Sequence, residues 1–394
     1  MSFRHSLSIS GLSIALAACG GGGGSDTSPN NGNTNPIGYF RDANVSGLAY
    51  SSGSLSGTTD ANGKFQYEAG KSITFKVGAI ELGTVSASKS LITPIDLTSA
   101  SSNTDAKVLN RVRFLMALDQ DGNPSNGISI SANTSNAAKL WSPINFDAAV
   151  FSIPSSVQQD IGIADGRTVT VPDATTATAH LSKTLACAYA GAFTGTASGL
   201  LLDTGGTDYS LTAPIGVVVT PTGSVTGFIG NPKNRNSDFD LSGTLSTTTK
   251  TPSMTLTVQR GSDSKSMQGG LISVDSYESI SGISKADGYI KGSRIGSSPS
   301  AKYRFVGYYS GADEGVFAFD VGTDSKTVTG TSYSNKSGKT VTFSGQINTG
   351  VLSGKTSDNT TISALIDSNL ALDGSWTAGA SSYGSVYGAG CQLN

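Results

Sequence analysis

Polar and apolar residues alternate along most of this chain. Ser72-Ile73-Thr74-Phe75-Lys76-Val77 keeps the period of two that buries one face of a strand and wets the other. Phe65 and Tyr67 precede it in the same alternation, and Ile80 and Leu82 follow it. Asp60-Ala61-Asn62-Gly63 and Glu68-Ala69-Gly70-Lys71 supply the turns between these strands, with Gly63 free to take a positive φ. The segment from Ile37 to Leu97 therefore predicts an antiparallel meander of short strands.

The period then becomes helical. Val108, Leu109, Val112, Leu115 and Met116 recur at helical spacing from Asp105 to Leu118, with Thr104 or Asp105 as cap and Arg111 and Arg113 toward the other side. The expected role is packing on the preceding β-module. Leu140 to Pro154, with Trp141, Phe146, Val150 and Phe151, lacks a clean period and predicts short helices and loops. Asp173 caps a second predicted helix, Ala174 to Ala186, which carries His180.

From Cys187 onward the pattern is β throughout, and it repeats. Gly216-Val217-Val218-Val219, Val225-Thr226-Gly227 and Leu241-Ser242-Gly243 recur as Gly315-Val316-Phe317-Ala318, Val328-Thr329-Gly330 and Phe343-Ser344-Gly345. The offset of about 100 residues suits a duplicated sheet or half-barrel, not a solenoid. Membrane-spanning strands need about 9–11 residues with one wholly apolar face. These strands carry Ser, Thr and Lys on both faces, so a soluble structure is expected. The fold class that follows is mainly β. It comprises a small N-terminal antiparallel β-sandwich (residues 37–97), a short helical connector (98–186) and a larger C-terminal antiparallel β-barrel or sandwich with an internal duplication (187–394).

Residues 1–18 have the parts of an export signal: Arg4 for charge, a short apolar run from Leu7 to Leu16, and the small pair Ala17-Ala18. The apolar run is too short for a span, which needs about 20 residues. Leu16-Ala17-Ala18-Cys19 resembles the lipobox of bacterial lipoproteins. The resemblance implies that Cys19 becomes the lipidated first residue of the mature chain, a role that requires a thiolate. Gly20 follows it, which by resemblance to Gram-negative lipoprotein sorting implies lipid anchoring at the outer membrane. Residues 19–36 contain no large apolar side chain and read as a flexible tether of roughly 20–25 Å.

A second resemblance lies in the first β-module. Val45-Ser46-Gly47-Leu48-Ala49-Tyr50 and Gly57-Thr58-Thr59-Asp60-Ala61-Asn62-Gly63-Lys64-Phe65 resemble the carboxypeptidase-regulatory type of small β-sandwich. With Val77-Gly78, Leu82-Gly83, Ile92-Thr93-Pro94-Ile95-Asp96-Leu97 and Leu115 to Ile130, the whole is similar to the N-terminal portion of adhesin-like proteobacterial surface lipoproteins. Such modules are spacers or recognition units, and no catalytic residue carries over with them.

Composition narrows the chemistry. Charged residues make up 14% of the chain and the formal charge is −2, which gives no reason to expect nucleic acid as a partner. Cys187 and Cys391 stand at the two limits of the β-rich region. In an exported chain they predict one disulfide, formed if that region closes and brings its first and last strands together. Without the signal, His180 is the only histidine, so a Ser-His-Asp triad would rest on it alone. No nucleophile elbow, Cys/His metal spacing or phosphate loop is present.

Three further groups of residues invite chemistry. Asp119, Asp121 and Asn123 place oxygen donors at alternating positions, as a hard cation such as Ca²⁺ requires. Counted from Asp119, however, the glycine and glutamate of an EF-hand loop are replaced by Pro124 and Ile130, and the alternative is a polar helix exit closed by a turn. Asp313, Glu314 and Asp320 lie close in sequence and keep a polysaccharide-directed enzyme open. Trp376, Tyr383 and Tyr387 suit stacking on a sugar or protein, or core packing. The sequence thus points to a non-enzymatic, lipid-anchored surface protein acting in adhesion or ligand presentation toward a protein or glycan. The alternatives are a β-barrel carrier of an apolar or haem-like ligand and the enzyme; calcium is the one cofactor to consider.

Overall fold

The computed structural model describes residues 35–86, 89–198, 212–230, 238–260, 263–273, 279–283, 289–296, 298 and 300–393. The signal segment, Cys19 and most of the tether lie outside the described residues.

The alternating segment forms two facing sheets. Strands β1 (Ile37–Phe40), β5 (Lys64–Gln66) and β8 (Leu91–Ile92) make one, in the order β5-β1-β8. Strands β3 (Ala49–Ser52), β4 (Leu55–Thr58), β6 (Ile73–Val77) and β7 (Ile80–Val85) make the other, in the order β4-β3-β6-β7. The apolar positions of β6 are all buried, as its period of two requires. Between the sheets the Phe75 ring meets Phe40 at 4.9 Å and Phe65 edge-on at 5.2 Å. Gly63 takes φ +67°, and a Cβ there would lie 2.5 Å from the Phe40 carbonyl oxygen.

Two pairings are parallel instead of antiparallel. β1 runs parallel to β8, and β2 (Val45–Ser46) runs parallel to β9 (Ile128–Ser129), which follows the long helix. Chain from beyond the expected module is therefore woven into it.

Helix α1 (Ala106–Leu118) starts where Asp105 accepts the Lys107 N–H at 2.8 Å. Nine of its thirteen residues are buried, because it is covered on several sides. Asn110, buried with them, is satisfied by donating to the carbonyls of Phe146 and Ala148. Arg111 and Arg113 do more than face water: each guanidinium lies 5.1 Å over a ring, of Phe146 and Phe151 respectively, and holds the aperiodic segment on the helix. Helices α2 (Ala132–Ala137), α3 (Ser155–Asp165) and α4 (Ala174–Tyr189) complete this layer. α4 begins at its predicted cap, Asp173 accepting from Thr176, and runs one turn past the predicted end almost to the next strand.

The C-terminal region is two closed barrels of eight strands each. The first comprises β10 (Gly191–Ser198), β11 (Ala213–Val219), β12 (Ser224–Ile229), β13 (Phe239–Ser246), β14 (Ser253–Arg260), β15 (Asp263–Ser273), β16 (Ser279–Ile283) and β17 (Tyr289–Ile295). The second comprises β18 (Tyr303–Gly311), β19 (Gly315–Val321), β20 (Thr327–Ser334), β21 (Thr340–Asn348), β22 (Val351–Thr356), β23 (Thr361–Ile366), β24 (Ala371–Thr377) and β25 (Tyr383–Gln392). Each is an antiparallel meander closed by pairing its first strand with its last. The repeated motifs fall on β11, β12 and β13 and again on β19, β20 and β21, so the unit of duplication is a whole barrel.

One core cluster runs through the sandwich, the helices and the first barrel, whereas the second barrel has a core of its own. A third cluster joins the barrels through their outer faces, including Val218, Phe228, Val306, Val316 and Tyr333. This is why every residue of β19 is buried: one face fills its barrel and the other meets the neighbour. Elsewhere the outside of the second barrel mixes polar side chains with the exposed Tyr308, Leu365, Tyr383 and Tyr387. Ser310, Ser385, Ser375, Ser363 and Ser353 lie in one register row across five strands, which is not the apolar band that a lipid-facing barrel presents.

Cys187 and Cys391 form the disulfide, with Cα atoms 5.9 Å apart. The route differs from the expected one, since the first and last strands of the region belong to different barrels. Cys187 sits on α4 and Cys391 on β25, so the bond ties the helical layer to the end of the second barrel. With a sequence separation of 204 residues, the chain-entropy model assigns it roughly 5 kcal/mol, an upper figure. The Cys187→Ser/Cys391→Ser double variant should melt clearly below the parent in calorimetry. Equal melting temperatures would show that the bond contributes nothing to stability.

Candidate ligand-binding cleft

Helix α4 brings its exposed edge to the place where the sandwich, the helical layer and both barrels converge. A cleft of about 510 Å³ opens there. Arg41 comes from the end of the first strand, and His180, Lys183 and Thr184 come from α4. Pro124, Ser125 and Gly127 come from the loop after α1, and Pro221 and Thr222 from the β11–β12 turn. The opposite wall is Ser368 to Leu370 of the β23–β24 turn with the end of β25, and the disulfide closes the floor. The three ionisable side chains among these are all basic, and no carboxylate lines the cleft among the described residues.

The basic groups are held differently. Lys183 is exposed. Arg41 is buried, donates to the Asn62 carbonyl at 2.6 Å and lies 5.2 Å over the Tyr39 ring. His180 Nε2 stands 3.2 Å from Oδ1 of Asp42, which is 0% exposed. Burial of the imidazole opposes its protonation, but the Coulombic pull of Asp42 and the hydrogen bonds to it prevail, and the His180 pKa is raised. Beside this pair the Ala43 N–H donates to Thr184 Oγ1 at 3.0 Å, which fixes α4 on the sandwich. The lone histidine is thus a packing residue with a charged partner.

The acidic trio does not assemble. Asp320 pairs with Arg304 at 3.0 Å, an arginine that is 0% exposed, and also accepts the Ser298 N–H. Asp313 accepts from the Ser334 hydroxyl at 2.6 Å and from the Lys336 N–H, closing a turn. Glu314 accepts from Asn335 Nδ2 at 2.7 Å, and the same amide donates to Asp238 of the first barrel. Burial, and then the Asp238 carboxylate, push Glu314 upward against that hydrogen bond.

The aromatic trio divides. Trp376 is 5% exposed and donates its indole N–H to the Ser310 carbonyl at 3.0 Å, so it is core. Tyr383 and Tyr387 are exposed, Tyr387 lying 5.6 Å from Tyr308 on the outside of the second barrel. Neither lines the cleft. The second barrel offers no lumen either: Phe317, Phe319 and Phe343 stack at 4.4 Å intervals inside it, leaving about 50 Å³ near one mouth.

The proposed cation loop keeps its residues together. Asp119 is 1% exposed, and its Oδ1 accepts the Ser129 N–H at 2.9 Å. Burial pushes its carboxyl up to about 6; the adjacent Asp121 adds to the shift and the Ser129 hydrogen bond opposes it. Asp121 accepts from the Asn123 N–H at 2.8 Å and from the Asn126 amide at 2.9 Å. Among the described residues no three His, Cys, Asp or Glu side chains cluster as a metal site.

No protein-family model matches this chain, and no curated protein sequence does. Among solved structures it has a likeness to the isotype 1 transferrin binding protein B from serogroup B Neisseria meningitidis, at 10% identity and a TM-score of 0.16. The likeness covers 51% of this chain and 63% of that one, under two thirds of its length. At that score it carries no argument about fold or function.

The His180–Asp42 pair makes a pH prediction. A raised histidine pKa contributes stability that is complete below the unfolded value of 6.5 and is lost as pH rises through the folded value. The parent should therefore gain in melting temperature over His180→Gln between mildly alkaline and mildly acid buffer. An identical pH dependence in both proteins would exclude this contribution.

Proposed function

We propose that this chain is a non-enzymatic surface protein, anchored by lipid at Cys19 to the outer membrane, that acts in adhesion by holding an anionic glycan or protein side chain in the junction cleft. The observation that carries this reading is the cleft: a concave site of ligand size beside α4 and the disulfide, lined among the described residues by basic groups and no acid. Supporting it against the carrier alternative, the interior of the second barrel is packed with its own aromatic side chains. The carboxylates that kept the enzyme alternative open each have a structural partner. The tether before Asn35 would hold the folded part clear of the bilayer.

Two measurements test the two halves of this reading. Binding of the mature protein to an array of acidic and neutral glycans should favour acidic ones, and Lys183→Glu should weaken it by about tenfold, the effect of ~1.4 kcal/mol. No preference for acidic ligands, or no effect of the charge reversal, defeats the cleft as the binding site. Separately, Cys19→Ser should leave the membrane fraction; a variant that sediments with membranes as the parent does would end the anchor reading.

A further inference from the structure

The loop that follows α1 combines three features that gather negative charge without an ion pair, although the charge of Arg167 is felt at Asp121. First, Asp119 Oδ2 is buried and has no hydrogen-bond partner, although Oδ1 of the same carboxylate is satisfied. A buried carboxylate oxygen left without a partner is costly, and native proteins seldom keep one. Second, Asp121 places another carboxylate two residues on, and its charge adds to that of Asp119. Third, Asp119 is the C-terminal cap of a thirteen-residue helix, whose carbonyl end carries the negative pole of its dipole.

The nearest cation does not resolve this. Arg167 donates through Nη2 to the Ala117 carbonyl at 2.7 Å and approaches Asp165 at 3.9 Å. Among the described residues no Lys, Arg or His comes within ion-pair distance of Asp119 or Asp121.

We infer that this loop is a calcium site in which Asp119, Asp121 and Asn123 are the side-chain ligands. The oxygens recur at every second residue, and Asp119 is anchored by the Ser129 N–H while its other oxygen stays open. A hard dication needs six to eight oxygens, so backbone carbonyls and water complete the shell. Asn126 donates to Asp121 and the Ser125 hydroxyl to Asn123 Oδ1 at 2.5 Å; metal binding would exchange these contacts. The site is not an EF-hand, since its twelfth position is the buried Ile130. With two carboxylates and no bidentate glutamate, the affinity belongs to the range of extracellular modules, about 10⁻⁴–10⁻³ M. The same loop gives Pro124, Ser125 and Gly127 to the cleft, so the ion would fix one of its walls.

The experiment uses the mature protein, stripped with chelator and then titrated with calcium or magnesium chloride at neutral pH. Calorimetric melting should rise by about 2–4 °C across millimolar calcium and less with magnesium, and isothermal titration should give one site. Asp119→Asn and the exposed Asp121→Asn should each abolish the response; the second guards against a variant that fails to fold. No rise and no heat in the parent would overturn the site. So would an Asp121→Asn variant that responds as the parent does. An Asp119→Asn variant stabilised to the same degree with and without the ion, beside an unresponsive parent, would show that a proton suffices there. Because the readout is melting temperature, its failure leaves the glycan-binding test untouched.

Discussion

A closed eight-stranded barrel has an interior that its own side chains can fill or that can hold one small ligand, and which of the two applies depends on the residues pointing inward. That constraint governs where this protein can meet anything else. In the second barrel the stack of Phe317, Phe319 and Phe343 takes up the middle, with Leu352, Leu372 and Val386 around it. In the first, Phe193, Val217, Leu241, Met254 and Leu256 are buried among the described residues. For the second barrel, recognition is left to its outer face and to its seams with the other parts. Some of the outer surface is already committed, because Val218 and Phe228 of one barrel pack on Val316 and Tyr333 of the other. Gly216 belongs to this contact: a Cβ there would come 3.1 Å from Val316 and closer still to the Phe228 ring.

The seam is also where buried charge is concentrated, and the cases differ in how well they are satisfied. Arg304 and Asp320 lie opposite each other on β18 and β19, and both also contact Ser298. A pair of this kind adds little net stability over an apolar pair, but losing one partner costs about 3–5 kcal/mol, so it selects one register for β18 on β19. His180 and Asp42 are less completely satisfied, and Asp42 Oδ2 has no hydrogen-bond partner. That pair fixes the azimuth of α4 on the sandwich, and α4 in turn presents Lys183, Thr184 and Cys187 to the cleft.

Local pattern was legible in the sequence wherever neighbours along the chain decide the outcome. The alternation at 72–77 is β6, the spacing from 105 to 118 is α1, and Asp173 caps α4. The duplication was visible too, but its period could not say whether each copy closed on itself; that depends on β10 meeting β17 and β18 meeting β25. The disulfide was read from compartment and position, and the geometry that makes it is a helix against a strand. Partners distant in sequence were out of reach. Nothing near Glu314 announces Asp238, and Arg304 stands sixteen residues from Asp320. Trp376 is core because register sets it opposite Ile362. The cleft draws on Arg41, Thr222 and Leu370, which no local pattern connects. In the cation loop the spacing was readable; the burial of Asp119 was not.

The two copies of the duplicated barrel have different attachments. The first continues from α4 and shares its core with the helices and the sandwich, so it cannot open without disturbing both. The second has a separate core and, besides the chain that leads into it, meets the rest through the outer-face contact, the Asn335–Asp238 hydrogen bond and the disulfide. Sub-global opening commonly follows the boundaries of such cores. The cleft lies across this boundary, with α4 and the β11–β12 turn on one side and the β23–β24 turn on the other. Cys187–Cys391 sits in its floor and limits how far the walls can part. A ligand seated there touches both units, and its binding free energy therefore adds to their association, whereas one bound on the serine-faced outside of the second barrel would leave that association unchanged.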